Sequence, residues 1–521
     1  MKRFHIPLLL LTSLACHAQQ PTDSISVSIE TQVSASSGKT PLWLNANKYG
    51  LSSLKSSNGY LRATAERMLE TDSQKKWGLG YGLDLVGAYN YTSSIFVQQA
   101  YVEGRYKLGV LSLGAKQQKM ELKDNELSSG SQCLGINARP IPQIRLGLND
   151  YWHIPGLHDW LAFKGHISYG MMTDGNWEER FAKGTIYKWN KNTRYHEKAG
   201  YLRIGNEDKF PLTFTAGLEM AGQFGGTVYN WAGTDEQVHD QNVPVDLSSS
   251  LKSYMNITIG KSSADVGETV YQNSEGNTLG SWVARLNWNV PTWEAGIYYD
   301  HYFEDQSGMF WLDYDGYGTG DEWNVKKDSK YFVYSLKDML VGADLKLKCW
   351  KYINKFVFEF VNTRYQSGPV YHDHTINNST HISGRDNYYN HSSLPGWQHW
   401  GQVIGNPLYL SPLYNEDGYI GTRCSRFKAY HFALAGDPFC GFHYKAKISY
   451  QKGWGSYDDP FAYPKENTSV LLEAMYHLSP SDSSSLASHF TINLAWGADF
   501  GHLRGYNNGW QLTVKYNLYN N

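Results

Sequence analysis

The last stretch of the chain constrains the fold most. In Trp510–Tyr519, Trp510, Leu512, Val514, Tyr516 and Leu518 alternate with Gln511, Thr513, Lys515 and Asn517. A period of two puts the apolar side chains on one face of a strand and the polar ones on the other. The length suits one tilted strand across a bilayer, about 9–11 residues. In a soluble sheet a strand here would be an open edge, and open edges aggregate. In a closed barrel it pairs with the first strand and the edge disappears. A soluble sandwich could contain the same strand, so the choice rests on the rest of the chain.

The 521 residues exceed what one soluble core usually needs. Mean hydropathy is -0.50, yet 15% of residues are aromatic and Tyr leads with 39. Aromatic girdles around a barrel with a wet interior produce this combination; sugar-binding proteins share the bias. A net charge of -2 gives no basic surface for nucleic acid. Met1–Ala18 reads as a secretory signal, with Lys2 and Arg3 before the apolar Ile6–Ala15 and a small-residue site before Gln19. Acylation of Cys16 is the rival reading, but Ser13 stands where a large aliphatic is expected. No later apolar run approaches the ~20 residues of a membrane helix. Residues 19–521 are therefore expected to form one outer-membrane barrel.

Alternation predicts eighteen strands. The first carries Ile25, Val27, Ile29 and Val33, and Tyr60–Arg67 and Trp77–Leu85 follow. Ile95–Arg105, Leu108–Ala115, Ile141–Leu148, Leu161–Gly170, Ala199–Gly205 and Leu212–Ala221 continue the series. The second half has Trp282–Val290, Trp293–Phe303, Val341–Cys349, Phe356–Phe360, Phe427–Leu434, Phe442–Tyr450, Val470–Leu478, Phe490–Phe500 and the terminal strand. An even count fits bacterial single-chain barrels, whose short turns face the periplasm and long loops face outward. With both termini periplasmic, the loops at 171–197, 304–330 and 362–425 fall outside. The turns at 106–107, 206–211, 291–292, 350–354 and 435–439 fall inside. Leu251–Gly260 is read as a short helix within the outer loop Gly225–Leu279, with Asp246 as its N-cap. The predicted class is an all-β, transmembrane antiparallel barrel whose long extracellular loops plug the lumen, 362–425 foremost.

Four cysteines remain after the leader. Cys349 and Cys440 should face lipid near the periplasmic turns, too far from Cys424 to pair. Cys133 and Cys424 lie on the same side, and their pairing stays open.

Several long motifs resemble the capsule-assembly Wzi family, in its Bacteroidetes-type branch. They are Thr40–Leu51, Glu126–Ser131 with Gly135–Pro140, Met171–Trp177, Tyr365–His374, Gly384–His391 and Gly405–Leu408. The resemblance runs through nearly the whole mature chain. It implies an eighteen-stranded outer-membrane barrel that binds capsular polysaccharide and holds the capsule at the cell surface. The enterobacterial branch carries a helical bundle before the barrel, where this sequence has only Gln19–Ser24 before strand one.

The residues themselves offer chemistry mainly in loop 362–425. His372-Asp373-His374 could bind a metal, but no second cluster of fixed spacing accompanies it, and hydrogen bonding within a plug is the plainer reading. No metal or cofactor is expected. Asp386, Tyr388, Tyr389, His391, Trp397 and Trp400 gather aromatic planes and hydrogen-bonding groups suited to sugar rings. Together with His372 and His374 they form the expected glycan site, although a packed plug would use such residues to bond one another. Trp311, Asp313, Tyr314 and Asp315 are a second candidate. His166 and Ser168 share the lumen face, whereas a lipid hydrolase needs such a pair facing the bilayer. With no Walker, dinucleotide or zinc-protease motif, no enzyme is expected. The expected partners are capsular polysaccharide and outer-membrane lipids, for a monomer. The competing reading is a porin-like diffusion channel.

Overall fold

The computed structural model describes residues 25–71, 75–233, 240–259, 276–304, 314–317, 320–322, 325–328, 336–372, 381–478 and 489–519. The leader and His374 lie outside the described residues, as does most of loop 304–330, with Trp311 and Asp313.

Eighteen antiparallel strands close into a barrel. They are β1 (Ser26–Ser37), β2 (Ser57–Arg67), β3 (Trp77–Tyr89), β4 (Ile95–Tyr106), β5 (Gly109–Ala115), β6 (Gln143–Leu148), β7 (Leu161–Met171), β8 (Arg194–Ile204) and β9 (Leu212–Phe224). Next come β10 (Gly276–Asn289), β11 (Trp293–Glu304), β12 (Met339–Leu347), β13 (Lys355–Asn362), β14 (Phe427–Phe439), β15 (Phe442–Gly455), β16 (Pro460–His477), β17 (Phe490–Gly501) and β18 (Asn507–Tyr519). Each pairs with its sequence neighbour. β18 closes on β1 with Val33 opposite Leu512 and Glu30 opposite Lys515. The two-residue Trp152–His153 only extends the sheet beside β7.

Every predicted strand is present. Several run further towards the long loops than alternation indicated: β8 begins at Arg194, β10 at Gly276 and β16 at Pro460. Beyond the bilayer the outward face meets water, so no apolar side chain is required there and the period-two signal fades. Within the bilayer the outward face is apolar, with Trp77 at 71% and Ile297 at 61% exposure. Aromatic pairs mark the short-turn rim: Trp77 with Tyr106 at 4.5 Å, Phe439 with Phe442 at 4.6 Å and Phe490 with Tyr516 at 4.7 Å. His166 lines the lumen, and Ser168 donates inward to Gln143.

The helix in the outer loop exists as α3 (Leu251–Ile259). Its cap is corrected: Asp246 lies in the strand Val245–Leu247, and the Ser250 hydroxyl accepts from the Ser253 N–H at 3.1 Å. The side chain of Asp246 is taken by Thr227, at 2.7 Å across that small sheet. The four cysteines are free. Cys349 and Cys440 are exposed at the short turns, while Cys133 and Cys424 are buried apart from each other in the plug.

Three segments fold into the lumen: 38–58, with the short helix α1 (Leu42–Asn45), 116–142, and 386–426. Their side chains meet the inward faces of strands around the wall. The Trp43 indole donates to Ser449 on β15 and packs on His431 of β14 at 4.9 Å. The Leu42 N–H and the Ser469 hydroxyl both donate to Asp499 on β17. Glu359 on β13 accepts from the Ser128 hydroxyl, the Ser129 N–H and the Tyr298 hydroxyl. Lys123 is buried against Asp300 on β11 at 2.5 Å. The segments also lock together: Asn137 donates to the Val403 carbonyl, and Asn406 to that of Gly130.

Candidate functional site

The plug divides the lumen into two environments. On the short-turn side lies a chamber of about 710 Å³. Its walls carry charges of both signs, and most are paired: Arg62 with Asp84, Lys116 with Glu103, Lys164 with Glu121 and Arg145 with Glu197. On the long-loop side a cleft of about 260 Å³ opens between four loop pieces, 186–188, 230–233, 390–396 and 419–421.

Most of the expected glycan residues lie in or beside the plug core, and one lies at the cleft. Tyr388, Tyr389 and Trp397 are fully buried in the plug core. Tyr389 stacks on Tyr409 at 3.8 Å, donates to the Gln132 carbonyl and accepts the Asn406 N–H. Tyr388 donates to Asp338 at 3.1 Å. No ring face of the three is open to a sugar, which corrects their expected role: they hold the plug together. Trp400 is half-buried over the Arg139 guanidinium at 4.1 Å, which also lies 3.7 Å from the Phe96 ring. Burial holds that guanidinium down to about 9. Tyr389 and Trp400 both adopt left-handed backbone, φ 69° and 56°. Such a conformation costs roughly 1 kcal/mol and persists only where packing enforces it. The Asp386 N–H donates to the Gln366 carbonyl at the root of the loop. His372 ends the strand Ser367–His372, opposite His381.

His391 alone among these residues lines the cleft. Its Nδ1 receives the Leu394 and Ser393 N–H groups, each at 3.3 Å, so Nε2 carries the ring hydrogen. Burial, then the neighbouring Lys188 ammonium, lowers its pKa to about 3, which keeps it neutral near pH 7. Lys188 donates to the carbonyls of His391 and Ser392. Tyr187 and Tyr419 meet at 5.2 Å with rings tilted by 59°, and the Tyr187 hydroxyl donates to Asp417. Asn390 bridges the Thr422 backbone with both ends of its amide. Trp231 completes the lining from a third loop.

Two ring faces, an indole and neutral hydrogen-bonding groups, with the Lys188 amine committed to the His391 and Ser392 carbonyls, suit a hydroxylated ring better than a fixed ion. Tyr187, Trp231 and Tyr419 had no periodicity or motif to mark them. Their one sequence signal was large aromatics in loops assigned to the same side, and only folding joins them. Beside the cleft, α2 (Trp177–Ala182) packs with Trp189 and Ile420 and holds the loops in place. Glu178 accepts from the Gln398 amide and the Asn190 N–H, and burial raises its carboxyl to about 8. Among the described residues no group of three or more His, Cys, Asp or Glu is placed to hold a metal.

No protein-family model matches the chain, and no curated protein does. Solved structures do. Wzi, an outer membrane protein involved in group 1 capsule assembly in Escherichia coli and a carbohydrate-binding β-barrel, superposes with a TM-score of 0.52 at 12% identity, covering 95% of this chain and 84% of that one. The chain has the fold of an outer-membrane β-barrel. OccAB4 of Acinetobacter baumannii aligns with a TM-score of 0.43 at 10% identity over 96% of this chain and 98% of its own. OprD of Pseudomonas aeruginosa gives 0.41 at 9%, over 95% and 94%. At these identities the likeness establishes the fold alone.

Proposed function

We propose that this barrel binds a capsular or exopolysaccharide at its long-loop mouth and helps hold that polymer at the cell surface. The observation that carries the reading is the plug. Three segments bond to each other and to wall strands around the lumen, and their outer side presents a cleft of aromatic and neutral polar groups. A diffusion channel uses its lumen as a path; here lumen-facing side chains are spent on fixing loops. The carbohydrate binding of the Wzi barrel is in line with this, as are the motifs that resemble its family. The charged chamber beneath the plug favours a channel, because such walls hold water.

The ligand residues we assign are Tyr187, Trp231, His391 and Tyr419. The barrel acts by binding, with no catalytic step. The test uses purified protein and the capsular polysaccharide of the source cell. Tyr187→Ala/Tyr419→Ala should weaken polymer binding about thirtyfold, at roughly 1 kcal/mol per stacking ring. It should keep the folded barrel and raise the share of capsule shed by whole cells. Unchanged binding in this variant would move the site elsewhere.

A further inference from the structure

The outer wall at β13, β14 and β15 carries cations where a barrel surface meets lipid. Phe358, Tyr430, Phe432, Ile448 and Tyr450 are exposed there and form an apolar strip facing the bilayer. Phe360 packs on Tyr430 at 5.1 Å. One step towards the long loops, on the same face, the residues become basic. Lys428 follows Tyr430 on β14, and Lys452 stands opposite it on β15. Arg426 continues the column and donates to the Arg364 carbonyl at 3.2 Å. The Arg364 guanidinium lies 4.0 Å from the Trp454 ring and that of Arg426 lies 3.8 Å from the Tyr457 ring.

The nearby acids are committed elsewhere. Glu466 pairs with Lys452 at 2.7 Å, Asp459 with Arg423 at 3.3 Å, and Asp458 accepts from Asn387. Arg364, Arg426 and Lys428 have no carboxylate partner among the described residues. Nε of Arg364 is buried without a hydrogen-bond partner among them. Like charges set side by side repel unless an anion joins them. Guanidinium forks match phosphate oxygens in pairs, and aromatic rings hold those forks in position.

We propose that Arg364, Arg426 and Lys428 form a binding site for the phosphorylated headgroup of an outer-leaflet glycolipid, whose acyl chains lie on the apolar strip below. Height on the wall identifies the occupant as a lipid: the cations sit directly above lipid-facing side chains, at the end of the barrel whose long loops face outward. The site shares no residue with the glycan cleft, so each reading can fail alone.

The test is native mass spectrometry of the full-length protein in neutral detergent. It is titrated with lipid A bearing both phosphates, with dephosphorylated lipid A, and with inorganic phosphate. The phosphorylated lipid should bind at least about tenfold more tightly than the dephosphorylated form, and Arg364→Gln/Arg426→Gln/Lys428→Gln should erase the difference. Arg364→Lys/Arg426→Lys should restore part of it, and millimolar inorganic phosphate should not displace the lipid. If the triple variant does not fold, Lys428→Gln serves, because that amine makes no hydrogen bond within the described fold; about a threefold loss is expected. Equal binding of the two lipids would overturn the proposal. So would wild-type lipid affinity in the folded variant, or displacement by free phosphate.

Discussion

Tyr389 shows how an aromatic residue can look like a sugar platform in sequence and act as a rivet in the fold. Its neighbours Tyr388, His391 and Trp397 gave it the right company, but sequence does not say which ring faces reach solvent. Its hydroxyl satisfies a carbonyl and an N–H from two parts of the plug. Tyr389→Phe should therefore leave Asn406 N–H without its acceptor, costing about 1–3 kcal/mol of plug stability. Hydrogen exchange of peptides covering 388–410 reads this directly; unchanged protection would mean the bonds carry no weight. His391 gives a pH signature. Its folded pKa is about 3 against an unfolded value near 6.5. Between those values the unfolded loop binds the proton and the folded loop does not, so loop stability should fall as pH drops from about 6.5 towards 3. Burial lowers Lys188 to about 7, so its own window lies above that pH and does not overlap. Exchange of peptide 388–396, corrected for the chemical rate, should show the acid window in the wild type and lose it in His391→Asn.

Strands and plug segments differ in how they announce themselves. A strand with lipid on one side and a wet lumen on the other must alternate, so Trp77–Leu85 and Trp510–Tyr519 could be placed from residue order alone. Plug segments are surrounded by protein and have no such rule. Thr40–Leu51 stood out as a motif that resembles a family, but nothing in it disclosed that Trp43 would bond Ser449. The cap of α3 was missed for a related reason: both Asp246 and Ser250 are good capping types, and the competing small sheet claimed Asp246. The join between plug and wall can be tested at Lys123 and Asp300, where both side chains are buried. Lys123→Met leaves the carboxylate without its counter-ion and should cost about 3–5 kcal/mol. Lys123→Met/Asp300→Leu removes both charges and should recover most of that. Proteolysis of segment 116–142 in folded barrels reports the difference. Equal sensitivity of the two variants would show that the pair does not anchor the segment.

At the scale of the whole molecule, closure, strand number and the sorting of long from short connections were all legible, because they follow from the bilayer. What fills the lumen was legible only as loop length, and where the mouth binds was not legible, since the cleft draws residues from four separated loop pieces. The plug gives the last prediction. A barrel of eighteen strands is wide enough for an aqueous channel when its interior is empty. Here segments 38–58, 116–142 and 386–426 occupy it, and the chamber below ends against them. Planar-bilayer recordings of the wild type should therefore show no stable large conductance. The ends of the longest plug segment lie close together, the Ser425 hydroxyl being 3.1 Å from the Asn387 amide oxygen. A short Gly-Ser linker replacing 388–424 can thus close the gap without straining β13 or β14. That variant should conduct steadily if it still forms a heat-resistant barrel. Steady porin-like openings in the wild type would instead return the channel reading to first place, and the glycan cleft would then have to be explained as the mouth of a pore.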